Sequence, residues 1–187
     1  MSDASNGVAV GFDATIVFTT DGGDTWTAAT TTNVGSAIMN EVSMSDASNG
    51  VAVGGTGEIV YTTNGGVDWT AATTTNVGGT LMQGVSMSDA SNGVAVGSDG
   101  TIVYTTDGGD TWTAATTTNV GTTHLREVSM SDASNGVAVG AAGTIVYTSD
   151  GGDTWTAATT TNVGTTPTNG VSMGDASNGV AVGDSGT

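Results

Sequence analysis

An all-β propeller is the fold this sequence predicts: four-stranded antiparallel blades on a 43-residue repeat, about four blade-equivalents in 187 residues. Three observations carry the prediction. The segment SMSDASNGVAVG at residues 43–54 returns unchanged at 86–97 and 129–140, and with Gly174 as its single change at 172–183. Each full period holds four short runs of strand-type residues parted by clusters of Gly, Asn and Asp. Each full period also carries one tryptophan, at Trp26, Trp69, Trp112 and Trp155. No helical periodicity or heptad interrupts the pattern. The repeats run 1–43, 44–86, 87–129 and 130–172, with a partial fifth at 173–187, so the chain reads as a single repeat domain. A parallel β-helix is the alternative, but its rungs are usually much shorter, and it gives no reason for one Trp per period.

The elements follow in order within one period. Strand a is Glu127–Met130 and its equivalents. Strand b, Gly50–Gly54, is apolar on both faces, with Val51 and Val53 on one and Ala52 on the other. Strand c, Thr101–Thr106, is likewise apolar on both faces, and strands of that kind lie inside stacked sheets. Strand d, Trp112–Thr118, is Thr-rich and ends in Asn-Val-Gly, which suits a half-exposed outer strand.

Composition excludes several function classes. There is no cysteine and no lysine, one arginine (Arg126), one histidine (His124), and a net charge of −17. Nucleic acid and anionic membrane surfaces would be repelled. No apolar run approaches the ~18–20 residues of a spanning helix, so membrane insertion is not expected. The chain opens Met-Ser-Asp-Ala-Ser, with neither the basic start nor the apolar run of a secretory leader, and its compartment stays open. Without cysteine, disulfides and thiolate metal sites are ruled out.

The c–d turn reads Thr105-Thr106-Asp107-Gly108-Gly109-Asp110-Thr111-Trp112 and recurs at Thr19–Trp26 and Thr148–Trp155. It resembles the Asp box, Ser/Thr-x-Asp-x-Gly-x-Thr-Trp, also called the bacterial neuraminidase repeat. The second copy departs from it, with Asn64 for the motif Asp and Asp68 for the motif Thr. The whole unit also resembles blades of the photosystem II stability and assembly factor family. That resemblance covers nearly the whole chain and implies a β-propeller within a broad group of binding proteins. In these families the Asp box lies away from the active face. Its physics points the same way: the carboxylate accepts N–H bonds across a tight turn, and the Trp plugs the space between blades. Asp21, Asn64, Asp107 and Asp150, with Trp26, Trp69, Trp112 and Trp155, are therefore expected to be structural.

Chemistry is sparse. The sialidases that carry Asp boxes use an arginine triad and a Tyr nucleophile, whereas this chain has one Arg. Its tyrosines Tyr61, Tyr104 and Tyr147 fill a repeat position that accepts Phe18. No catalytic residue and no cofactor are expected. The oxygen-rich stretch Asp46–Gly50 is the weak Ca²⁺ candidate, without EF-hand spacing or a distal Glu.

The copies differ in two places: the d–a connection running into strand a, and the b–c turn. In an up-and-down blade these two share one face, while the a–b turn and the Asp box share the other. The variable face gathers Phe12, Asp13, Ile38, Met39, Asn40, Leu81, Met82, Gln83, Asp99, His124, Leu125, Arg126, Pro167 and Asn169. With strand a innermost, Ile38, Met39, Leu81, Met82, His124, Leu125 and Arg126 are expected to ring the channel mouth as a surface recognising a protein or a glycan. The competing reading is a purely structural repeat, amplified or designed, with no ligand; a glycosidase-type enzyme is the less favoured third. One count bears on assembly. The chain holds four copies of a, c and d but five of b, so it begins inside one blade and ends inside another. Closure by strand exchange with a second copy, as a homo-oligomer, is expected.

Overall fold

The computed structural model describes residues 4–75, 77–161 and 163–184. All its regular structure is β apart from three single 3₁₀ turns. No described helix is long and apolar enough to cross a membrane. The first sheet is β1 (Gly7–Val10), β2 (Ile16–Thr19) and β3 (Thr27–Ala28). The chain then forms β4 (Thr30–Thr32), which joins the second sheet of β5 (Met39–Met44), β6 (Gly50–Gly54), β7 (Ile59–Thr62) and β8 (Asp68–Ala71). Next, β9 (Thr73–Thr74) joins the third sheet of β10 (Met82–Met87), β11 (Gly93–Gly97), β12 (Ile102–Thr105) and β13 (Thr111–Ala114). In the same way β14 (Thr116–Thr118) joins the fourth, β15 (Leu125–Met130), β16 (Gly136–Gly140), β17 (Ile145–Thr148) and β18 (Thr154–Ala157). A last pair is β19 (Thr168–Met173) and β20 (Gly179–Gly183).

The blades are thus antiparallel meanders of a, b, c and d, with one addition. The Thr-rich run expected as a single outer strand breaks at Ala29, Ala72 and Ala115. Its first half pairs within its own blade. Its second half crosses and pairs in parallel with strand d of the next blade, Thr116 opposite Thr154 and Thr118 opposite Thr156. The three central sheets therefore have five strands, the fifth lent by the preceding repeat. The crossing strand caps an edge that would otherwise be open and ties blade to blade through backbone bonds.

Side-chain layers between blades explain the doubly apolar strands. Val51, Val53 and Ile59 of one blade pack with Ala95, Val103 and Trp112 of the next, and Val94, Val96 and Ile102 with Ala138, Val146 and Trp155. The Asp-box glycines permit this closeness. A Cβ on Gly109 would stand 2.6 Å from Val51 Cγ2, and the same holds at Gly152 against Val94.

The inner strands are joined without direct pairing. Ser43 Oγ accepts from Met87 N, Ser86 Oγ from Met130 N, and Ser129 Oγ from Met173 N, each at 3.0 Å. One serine per blade so occupies the inner edge of its successor. At the two ends the array stays open: among the described residues no pairing joins the first sheet to the last.

Candidate functional site

Backbone hydrogen bonds sort the loops onto two faces. On one, the Asp box meets the a–b turn, with Gly65 N donating to Ser48 O and Gly108 N to Ser91 O. On the other, the b–c turn meets the d–a connection, with Gly55 N donating to Ile38 O and Ser98 N to Leu81 O. The variable segments thus lie together on the second face.

The near-identical face is a set of closed turns. Asp107 Oδ1 accepts from Thr111 N at 2.9 Å and from Thr105 Oγ1 at 2.9 Å, while Oδ2 accepts from Thr111 Oγ1 at 2.5 Å. Asp21 and Asp150 repeat the pattern with Thr25 and Thr154. Asn64 keeps it with the polarity reversed: its amide donates to Asp68 Oδ2 at 2.8 Å where Thr111 donates to Asp107. Trp69, Trp112 and Trp155 are fully buried, each donating its indole N–H to a Gly carbonyl of its own turn. Trp26 makes the same bond but is 44% exposed. The Ca²⁺ candidate loop is similarly occupied by itself, since Asp46 accepts from the backbone of Ser48 and Asn49 and from the Asn49 amide. Among the described residues no group of three His, Asp or Glu gathers as metal ligands do.

The variable face is organised by a β-bulge. In every inner strand the register slips by one residue, between Met39 and Glu41, Met82 and Gly84, Leu125 and Glu127, and Thr168 and Gly170. The bulged residues are Asn40, Gln83, Arg126 and Asn169, a position whose residue changes from each copy to the next. A bulge leaves its extra residue unpaired and re-aims its side chain. Two bonds from these side chains bridge blades: Asn40 Nδ2 donates to Met82 O at 2.7 Å, and Arg126 donates to Asn169 Oδ1; within the last pair, Asn169 Nδ2 donates to Asp184 Oδ1 at 2.7 Å. Around them Phe12, Ile38, Leu81, Asp13 and Asp99 are exposed, while His124 and Pro167 are half-buried.

One part of the expected channel mouth is corrected. Met39, Met82 and Leu125 are 3%, 0% and 0% exposed. The bulge after each turns it into the layer between blades, where Met39 packs with Ala52 and Trp69 and Leu125 with Trp155. They are core residues. Thr168 holds the equivalent place in the last inner strand, buried, with its hydroxyl lacking a partner.

Two functional groups escaped the sequence reading. Glu41 and Glu127 occupy one repeat position whose other copies are Gly84 and Gly170. Gly84 separates them along the inner wall, and the two carboxyls are near enough for the charge of one to act on the other. Burial, and next the Glu127 charge, push the Glu41 carboxyl up from 4.5 to about 7, while Val85 N donates to Glu41 Oε2 at 2.7 Å. Burial also raises Glu127. The Glu–Gly–Glu–Gly alternation was the available signal.

A scan against family models matches Photosynthesis system II assembly factor YCF48 over residues 1–124 and 75–186. The chain belongs to the YCF48 family. Among solved structures it is similar to YCF48 bound to D1 peptide, at TM-score 0.66 and 23% identity, over 92% of this chain and 55% of that one. YCF48 from Cyanidioschyzon merolae is similar at TM-score 0.71 and 17% identity, over 97% and 64%. An ancestral GH74 enzyme is similar at TM-score 0.66 and 14% identity, over 88% of this chain and 24% of that one. No curated protein matches. The chain spans less than two thirds of the YCF48 structures it matches.

Proposed function

We propose that this chain is a non-catalytic propeller module that holds a protein segment on its variable face. The bulge in each inner strand carries the reading: it projects a strand position whose residue changes from each copy to the next, beside exposed Phe12, Ile38 and Leu81. Apolar side chains next to a lone guanidinium form a recognition patch for a mixed apolar and polar segment. The charge of −17 favours a neutral or basic partner, with an acceptor placed at Arg126. The YCF48 relative bound to D1 peptide supports a protein as partner.

Binding without hydrolysis is supported by the sparse chemistry of the chain: one Arg, one His, and tyrosines at a repeat position that accepts Phe18. The test is selection of a displayed peptide library on the full chain, with selected peptides re-measured against the joint variant Asn40→Ala, Gln83→Ala, Arg126→Ala and Phe12→Ala. Binding weakened tenfold or more with an unchanged circular dichroism spectrum is expected. Equal binding by the variant, or binding only to a glycan array, would overturn the reading.

A further inference from the structure

The sequence holds four Asp–Gly pairs: Asp21–Gly22, Asp99–Gly100, Asp107–Gly108 and Asp150–Gly151. Such a pair has covalent chemistry of its own. The glycine nitrogen attacks the aspartate Cγ, an N–Cγ bond forms, and the N–H proton leaves with the carboxyl OH as water. The product is a five-membered succinimide. Water then opens the ring at either carbonyl. Opening at the former side-chain carbonyl restores aspartate; opening at the main-chain carbonyl leaves isoaspartate, with the backbone running through Cβ. Glycine hinders this attack least, since it has no Cβ and the widest choice of backbone angles. Closure needs a neutral carboxyl, a free nitrogen, and freedom for the two to meet.

Three of the four pairs are held against it. The Asp107 carboxylate accepts from Thr111 N and Thr105 Oγ1, each at 2.9 Å, and from Thr111 Oγ1 at 2.5 Å. The nitrogen that would attack, Gly108 N, donates to Ser91 O at 2.8 Å. Asp150 is bound in the same way by Thr154 and Thr148, and Asp21 by Thr25 and Thr19. Gly151 N donates to Ser134 O and Gly22 N to Ser5 O, each at 2.8 Å. Electrophile and nucleophile are thus tied to different partners. The Thr25 hydroxyl, then its N–H, also hold the Asp21 carboxyl down at about 2, so its neutral form is scarce. The Asn–Gly pairs of the a–b turns are clamped too: the Asn92 amide donates to both oxygens of Asp89, at 3.1 and 3.0 Å, and Gly93 begins the buried strand β11.

Asp99–Gly100 is different. It lies in the b–c turn of the third blade, on the variable face, where Ser98 N donates to Leu81 O at 2.9 Å. Asp99 is exposed, and its carboxyl shows no hydrogen bond among the described residues. The glycine is fixed by packing, since a Cβ on Gly100 would strike Gly121 O. The other copies of this turn lack the combination: Asp13 is followed by Ala14, while Thr56 and Ala142 precede Gly57 and Gly143.

We propose that Asp99–Gly100 is a site of spontaneous isoaspartate formation on the variable face, and that the Asp-box hydrogen bonds exclude the same reaction from the other three pairs. The conversion lengthens the backbone by one carbon and moves the free carboxyl onto the former main chain. It therefore rearranges the turn that meets Leu81.

The test incubates the full chain for weeks at neutral pH, warm but below its melting point. The chain is then unfolded and digested with an endoprotease that cuts before aspartate and not before isoaspartate. Fragment masses show which cuts are lost. The cut before Asp99 should disappear about tenfold faster than those before Asp21, Asp107 and Asp150, whose bonds must break before the ring closes. In urea the four pairs should react alike. Asp99→Thr should abolish the reaction in this turn with the circular dichroism spectrum unchanged, because Thr56 holds φ 57, ψ 24 where Asp99 holds φ 56, ψ 27. Ala142→Asp should create a second reactive site, since Ala142 has φ 54, ψ 28 and precedes Gly143. Equal rates at the four pairs in the folded chain would overturn the proposal. So would an intact Asp99 while the chain in urea reacts, an inert Ala142→Asp turn, or the same preference for Asp99 persisting in urea.

Discussion

Asn64 and Asp68 show how far a turn's chemistry can vary while its bonds stay fixed. Three copies place an acceptor carboxylate at the first position and a donor hydroxyl at the second, whereas this copy places a donor amide first and an acceptor carboxylate second. Either arrangement has one donor facing one acceptor. Asn64→Asp alone sets two carboxylates face to face and should destabilise the protein by about 1–2 kcal/mol. Adding Asp68→Thr restores the common pattern and should recover most of that loss, a coupling a double-mutant cycle in urea would measure. Additive losses would show that the pair does not interact. Thr168 offers the opposite case, a buried hydroxyl with no partner. Thr168→Val removes the orphan at nearly constant volume and should raise stability by about 1 kcal/mol. The Asp-box chemistry was legible because its residue types and spacing are unusual. Met39, Met82 and Leu125 were misplaced because a bulge reverses the inside–outside alternation, and no residue type marks it.

Strand d is the element that makes separate blades into one body. Its Thr-rich second half was legible as strand but not as a strand of the neighbouring sheet, because Thr suits either edge and the break falls at an ordinary Ala. Thr116 N donates to Asp153 O at 2.8 Å, at the first step of the crossing. Thr116→Pro removes that donor and fixes its own φ at about −65°, away from the value of a parallel strand. It should cost about 2–3 kcal/mol and loosen the fourth blade first, seen as faster amide exchange in β18 than in β11. Uniform acceleration over all blades would show that the crossing strand does not hold the fourth blade in particular. Trp112→Ala tests the other bond between blades, the packed layer, and should cost about 3–5 kcal/mol. The two losses differ in kind. The proline opens one edge, while the alanine empties a layer shared by two blades.

At the scale of the whole molecule, carboxylates in two environments pull stability in opposite directions with pH. In the turns they are held charged: the Thr25 hydroxyl, then its N–H, bring Asp21 down from 3.8 to about 2, and the Asn49 amide lowers Asp46. Their stabilisation is present above 3.8 and is lost as pH falls toward 2. Glu41 works the other way. Its pKa is raised in the folded state, so folding takes up a proton between 4.5 and about 7, and that stabilisation fades as pH rises through the window. Repulsion within a chain of net charge −17 acts in the same direction as pH rises. The melting temperature should therefore peak near pH 4.5, falling below it as the turn carboxylates are protonated and above it as Glu41 ionises against Glu127. Glu41→Gln keeps a neutral donor beside Glu127 and removes the group that must ionise. Its melting temperature should match the native chain's at pH 4.5 and exceed it at pH 8, which flattens the alkaline limb and leaves the acid limb unchanged. An unaltered alkaline limb would mean that the overall charge, and not the buried pair on the inner wall, sets the stability of this propeller above neutrality.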